Sequence, residues 1–215
     1  VGDEYAKAMK NFFLKILGWF LKILAKLTLK RYEPAIVGVT GNVGKTSTRQ
    51  AIATILGQSR RVRSPEKNFN NELGLPLVIL GDWSSTDGLF FWPIALIRSF
   101  FQLLIRNKSY PEILVLEYGV DRPGDMAYLL NIARPSIGVI TAVGNIPVHV
   151  EFFAGPEALA REKEKLIHYL PATGFALLNV DDPIVFQMKP QTRAHVVTYG
   201  FAEEADMRIS SFEEY

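Results

Sequence analysis

The sequence predicts an α/β fold, a mostly parallel sheet flanked by helices, and three observations carry that expectation. Short, β-favouring apolar runs recur at 36–40, 113–119, 137–141, 174–179 and 195–199, with the near-continuous apolar character of strands covered on both faces. Helical periodicity lies between most of them, so the connections read as crossovers, which align strands in parallel. The first run also breaks into Gly41-Asn42-Val43-Gly44-Lys45-Thr46-Ser47 before a helical pattern begins. That is a strand, phosphate loop and helix in succession.

Ahead of the first strand, residues 5–31 are apolar nearly throughout, interrupted by Lys15, Lys22 and Lys26. At helical pitch these lysines fall within about 40° of one another, a narrow basic stripe on a broad apolar helix. A transmembrane span would not carry three lysines along its middle, and no small-residue cleavage site follows as in a signal peptide. Two readings stay open for this basic amphipathic helix, residues 1–34. It lies in a membrane interface with its lysines toward lipid phosphates, or it packs on the domain or on a protein partner. Glu33-Pro34 ends it, because proline disfavours helical geometry in the residue before it.

In the loop, Gly41 and Gly44 have no Cβ, so the backbone turns sharply and peptide N–H groups converge on an anion. Lys45 adds a point charge, and Thr46 or Ser47 offers a hydroxyl to a Mg²⁺ held between phosphates. The spacing is tighter than the general phosphate-loop pattern, since Val39 stands where its first glycine would fall. A helix over 48–56 stops at Gly57, and 60–63 is a short basic link. Asn68, Asn70, Asn71 and Glu72 then precede an apolar segment, where side-chain amides commonly cap turns.

Residues 83–110 read as an apolar, aromatic insertion with Arg98, Arg106 and Lys108 for charge. Its stretch 89–105 and the N-terminal helix either share one membrane-facing or partner-facing surface or pack on each other. The strand over 113–119 ends in Glu117, a carboxylate at the edge where open α/β sheets hold ligands, and so a candidate Mg²⁺ ligand. Residues 121–125 turn into a helix over 126–132. His149 follows the next strand on a polar loop at the same edge. A helix over 156–170 carries Arg161-Glu162-Lys163-Glu164-Lys165, on its face an ordinary solvated surface.

Composition narrows the partners. Without cysteine there are no disulfides or thiolate metal sites, which suits a cytoplasmic, oxygen-ligated Mg²⁺. The net charge of +2 hides an asymmetry: residues 1–34 hold seven Lys/Arg against three Asp/Glu, leaving 17 against 19 elsewhere. A basic excess confined to one helix is not a nucleic-acid groove, so no nucleic-acid partner is expected.

Taken together the segments resemble the central ATPase domain of the Mur ligase family, which joins amino acids or peptides to a carboxylate using ATP. The matching pieces, in register over residues 35 to about 212, are Thr40 to Ser47, then Asn70-Asn71-Glu72-Leu73-Gly74-Leu75-Pro76. Leu116-Glu117-Tyr118-Gly119, Pro123-Gly124-Asp125, His149-Val150-Glu151, Lys163 and Leu178-Asn179-Val180-Asp181-Asp182-Pro183 follow. The Asn-Asn-Glu and Pro-Gly-Asp pieces most resemble the branch that adds a D-amino-acid dipeptide, D-alanyl-D-alanine, to a UDP-MurNAc-peptide.

The resemblance implies that Thr40, Gly41, Asn42, Val43, Gly44, Lys45, Thr46 and Ser47 hold the phosphates of ATP, and that Asn179 contacts adenine. It puts Thr46 and Glu117 on one Mg²⁺, has His149 help hold a second, and faces Asn70 and Asn71 to the substrate. Lys163, by the same resemblance, is carbamylated and becomes a carboxylate-like metal ligand. The chemistry implied is phosphorylation of a carboxylate, then attack of an amine on the acyl phosphate. Family members also carry an N-terminal UDP-sugar domain and a C-terminal domain that completes the ATP site, and this chain shows neither. The expectation is a piece of a longer cytoplasmic enzyme, at the inner face of the membrane if the apolar helices meet lipid, inactive as it stands. Competing expectations are a membrane-associated nucleotide-binding module without ligase activity, and a folylpolyglutamate or cyanophycin ligase.

Overall fold

The computed structural model describes residues 2–65, 69–83, 86, 90–144 and 152–211. Seven parallel strands form one sheet, β1 (Ala35–Thr40), β2 (Val62–Arg63), β3 (Ile113–Glu117), β4 (Ile137–Ile140), β5 (Phe175–Asn179), β6 (His195–Gly200) and β7 (Met207–Arg208), in the order β2-β3-β1-β4-β5-β6-β7. The helices are α1 (Gly2–Tyr32), α2 (Lys45–Gly57), α3 (Gly74–Leu80), α4 (Phe91–Leu104), α5 (Asp125–Ile132), α6 (Pro156–His168) and α7 (Pro183–Phe186). The expected α/β class and all five expected strands are present. The two additions, β2 and β7, are two residues each, too short to show a periodicity, and β2 falls within the stretch expected to be a plain basic link.

Period-two alternation sorts each central strand between two layers. Ile36, Leu114 and Leu116 point into a core shared with α1, α3 and α5. On the other face Val37, Val39, Val115 and Val139 meet Ile52 and Ala53 of α2. α3 is buried along its whole length, as a helix without a polar stripe must be. β1 sits between β3 and β4, and its register sets Val39 beside both Glu117 and Val139. The ends of three strands therefore meet at one edge.

α1 and the expected insertion pack on each other. Leu17, Leu21, Ala25 and Thr28 of α1 are buried. The Tyr32 hydroxyl donates to the Gln102 carbonyl at 2.9 Å, accepts from the Asn107 N–H at 2.8 Å, and its ring stacks on Tyr110. Glu33 takes a positive φ of 49°, and with Pro34 turns the chain out of α1 into β1. Among the described residues no helix is long and apolar enough to cross a membrane.

Candidate functional site

The carboxyl ends of β1, β3, β4 and β5 converge on the segment between β1 and α2. Gly41 and Gly44 take φ values of 150° and 81°, the left-handed range that glycine tolerates best. The loop is tied to the chain leaving β4: Asn42 N–H donates to the Ala142 carbonyl at 2.6 Å, and the Asn42 amide to Val143 O. The Thr141 hydroxyl donates to the Val43 carbonyl at 2.6 Å. A Cβ on Gly41 would lie 2.0 Å from Thr141 Oγ1, so no other residue fits without rebuilding the loop. α2 starts at Lys45 with no side-chain cap, which leaves its first N–H groups to an anion. Lys45 Nζ, half-buried, rests 3.1 Å from the Asn42 carbonyl.

Glu117 is the hub beneath that loop. Its carboxylate is 3% exposed and accepts from Thr46 Oγ1 at 3.1 Å and from Asn70 Nδ2 at 3.0 Å. Arg49 Nε lies 3.5 Å from Glu117 Oε2, an ion pair without hydrogen-bond geometry. The same guanidinium donates to Ser64 Oγ at 2.6 Å and to Pro65 O. Thr46 and Glu117 together form a hard-oxygen pair at the foot of a phosphate-binding loop, a donor set that suits Mg²⁺ shared with phosphate oxygens. Among the described residues no three His, Cys, Asp or Glu side chains gather.

Lys163 corrects the composition-based reading. It is 3% exposed, and its Nζ donates to the Gly41 carbonyl at 3.0 Å. Burial, reinforced by Lys45, lowers its pKa to about 8, with Asp121 and Glu117 opposing. A surface-looking Arg-Glu-Lys-Glu-Lys run hid it, because α6 turns Glu162 and Lys163 inward while Arg161 stays exposed.

The surroundings of the other expected site residues are as follows. Thr40 is fully buried and its hydroxyl donates to the Tyr118 carbonyl at 2.9 Å, at the floor of the loop. Thr46, and not the exposed Ser47, is the hydroxyl joined to Glu117. Asn71 Oδ1 accepts from the backbone N–H groups of Gly74 and Leu73, at 2.9 and 3.3 Å, at the start of α3, while Asn70 reaches the hub. His149 and the rest of 145–151 lie outside the described residues.

Asn179 lines a cleft of about 280 Å³ with Ala142, Gly144, Asp181, Asp182, Pro183 and Ile184. Asp182 frames it: one oxygen accepts from Ile184 and Val185 N–H, starting α7, and the other accepts from Val143 and Gly144 N–H at 2.7 and 2.8 Å. The loops after β4 and β5 are thereby locked together. Sequence reasoning missed Arg49 and Thr141. The signal for Arg49 was its place one helical turn after Lys45, on the face that meets the sheet; Thr141 is one of many strand-end threonines and carries no such mark.

This geometry defines a class: a parallel α/β domain with a phosphate-binding glycine loop, a carboxylate on the neighbouring strand and a side cleft at the same edge. The Mur ligase middle domain matches residues 98–215. The chain belongs to the Mur ligase family. It is 37% identical over 162 residues to the UDP-N-acetylmuramoyl-tripeptide--D-alanyl-D-alanine ligase of Mycobacterium leprae, covering 75% of this chain and 26% of that protein. It is 28% identical over 194 residues to the enzyme of the same name from Bacillus subtilis, covering 90% of this chain and 36% of that one. Among solved structures, MurF ligase from Thermotoga maritima in complex with ADP superposes with a TM-score of 0.65 at 32% identity, over 84% of this chain and 36% of that chain. The chain thus spans about a quarter to a third of the length of these relatives.

Proposed function

We propose that the chain is the ATP-binding part of a cytoplasmic, ATP-dependent carbon–nitrogen ligase of peptidoglycan precursor synthesis. The substrates it is proposed to serve are UDP-MurNAc-tripeptide and D-alanyl-D-alanine. The observation that carries the reading is the Thr46–Glu117–Asn70 cluster directly under the Gly41–Gly44 loop, in a chain whose relatives bear that enzyme's name. Lys45 and the N–H groups opening α2 would hold phosphate oxygens and neutralise the charge that grows on them during phosphoryl transfer. Mg²⁺, held by Thr46 and Glu117, would supply Lewis acidity at those oxygens. Arg49 and Asn70 keep Glu117 oriented, and the Asn179 cleft would take the base. His149 is proposed on a second Mg²⁺.

Lys163 fits its proposed carbamylation chemically. A lysine must shed its proton before its nitrogen can attack CO₂, and burial favours the neutral amine. The product would exchange a cation beside Lys45 for an anion.

The test is formation of the amide product with release of ADP, dependent on ATP, UDP-MurNAc-tripeptide and D-alanyl-D-alanine together. Glu117→Gln is expected to lower Mg²⁺-dependent nucleotide affinity at least ~10-fold, the scale of ~1.4 kcal/mol. Nucleotide binding without product, in the whole protein that carries this domain, would favour a binding module that lacks ligase activity. Glutamate addition to a folate would move the chain to the folylpolyglutamate branch.

A further inference from the structure

Fifteen of the 24 large apolar side chains exposed on the described surface belong to α1 and to α4 with its flanking Phe90 and Ile105. Around its axis α1 divides into three sectors. Leu17, Leu21 and Ala25 mark the one that the domain covers, and Lys15, Lys22 and Lys26 lie beside it. The third presents Phe12, Ile16, Trp19 and Phe20 to solvent at 66, 41, 58 and 49% exposure. A helix packed on one domain needs a single apolar sector, and α1 has two. Before Leu17 none of its described side chains is buried and Leu14 is half-buried, so the described side chains from Tyr5 to Ile16, along about 18 Å of helix at ~1.5 Å per residue, gain little from the domain. Such a length of helix is marginal in water without a surface to lie on.

α4 repeats the pattern. Ser99 and Ala95 face inward, Ile94, Ile97, Phe101 and Leu104 are more than half exposed, and the helix's one charge, Arg98, is drawn over the Trp83 ring at 5.3 Å. The two helices meet where the Arg31 guanidinium reaches the Leu104 carbonyl.

Charge identifies the occupant. Residues 5–32 and 90–109 contain ten Lys/Arg and no Asp/Glu, while the rest of the chain holds 14 Lys/Arg against 22 Asp/Glu. A second copy would bring two all-positive faces together, which Coulomb repulsion opposes. An anionic bilayer satisfies both properties, taking apolar side chains at the acyl boundary and long cationic ones at its phosphates. It would also repel the acidic remainder, which fixes the orientation. We propose that α1 and α4 form a peripheral docking surface for anionic phospholipid bilayers, with Lys15, Lys26, Lys30 and Lys108 at the headgroups. The inference goes beyond the ligase reading and does not depend on it.

The experiment is flotation of the full chain with extruded vesicles of phosphatidylcholine alone or with a quarter phosphatidylglycerol, at low and high salt. The expected result is capture by the anionic vesicles, falling at least ~10-fold in high salt as the Debye length drops from ~10 Å to a few ångström. Trp19 emission should shift to the blue with anionic vesicles, and the shift should vanish in Trp19→Phe. Ile16→Glu with Phe101→Glu alters only exposed positions and should abolish flotation while far-UV dichroism is unchanged; Lys15→Glu with Lys26→Glu should weaken it several-fold. Absent or salt-insensitive flotation, or flotation indifferent to these variants, overturns the proposal. So does concentration-dependent self-association without vesicles that the Ile16→Glu, Phe101→Glu variant removes while flotation is absent, since the face would then belong to a second copy.

Discussion

Replacing Gly41 by alanine tests the phosphate loop most sharply. The new Cβ would lie 2.0 Å from Thr141 Oγ1 and 3.0 Å from the Ala142 carbonyl, at a φ of 150°. A side chain in that backbone region costs about 1–3 kcal/mol. Thr141 must also swing away from the Val43 carbonyl it now holds at 2.6 Å, losing about 1 kcal/mol. The sum, about 2–4 kcal/mol, corresponds to a fall of roughly 5–15 °C in Tm for a chain of this size. Nucleotide affinity should fall with it, because the same backbone carries the anion-binding N–H groups. Thr141→Ala removes the nearest clash and leaves the φ strain and the Ala142 contact. In the Gly41→Ala background it should therefore restore part of the stability, a coupling of about 1 kcal/mol or more in a double-mutant cycle read by thermal and urea unfolding. Unchanged Tm and nucleotide affinity in Gly41→Ala, or strict additivity in the cycle, would refute the packing argument for this glycine.

Three further outcomes follow from the same contacts. Arg49→Met strips the guanidinium from a buried Glu117 that keeps Thr46 and Asn70; a loss of about 3 kcal/mol is expected, the low end for breaking a buried pair. Mg²⁺-nucleotide should partly relieve it, and a urea-unfolding change below ~1 kcal/mol would show that the pair contributes little. Burial, with Lys45 alongside, lowers the Lys163 pKa to about 8 from the ordinary lysine value of 10.5, so between those values the unfolded chain binds the extra proton and stability rises with pH. In bicarbonate-free buffer the wild type should gain up to about 3 kcal/mol relative to Lys163→Met from pH 8 to 10.5, and a pH-independent difference would show an amine in water. Tyr32→Phe deletes the hydroxyl that joins Gln102 and Asn107. It should cost about 1–2 kcal/mol and raise amide exchange in α4, and an unaltered exchange pattern would detach α4's stability from α1.

The architecture was legible because its signals are local. Five β-favouring runs, a glycine turn and a lysine each carry their meaning within a few residues, and Glu117 is marked by ending one of those runs. What escaped depends on which way a helix faces once it packs. Lys163 sits between two glutamates in a run that reads as solvent-facing, and only the docking of α6 on the sheet shows that Nζ touches Gly41. Arg49 is equally ordinary in sequence and becomes the least exposed cation near the site through the placement of α2. Thr40 illustrates the converse: a motif residue beside the loop whose hydroxyl is engaged by the Tyr118 carbonyl just past β3. For α1 the sequence offered two alternatives, lipid or protein. The helix is broad enough to bury one sector in the domain and leave another open.

The margins of the sheet carry a last consequence. Each outermost strand is only two residues long, Val62–Arg63 on one side and Met207–Arg208 on the other. An incoming peptide would find only two residues of ladder on either of these strands, so strand addition to β2 or β7 themselves has little template. Clumping of the purified chain should instead respond to mild detergent, which covers aliphatic and aromatic rings, and hardly at all to agents that block backbone pairing.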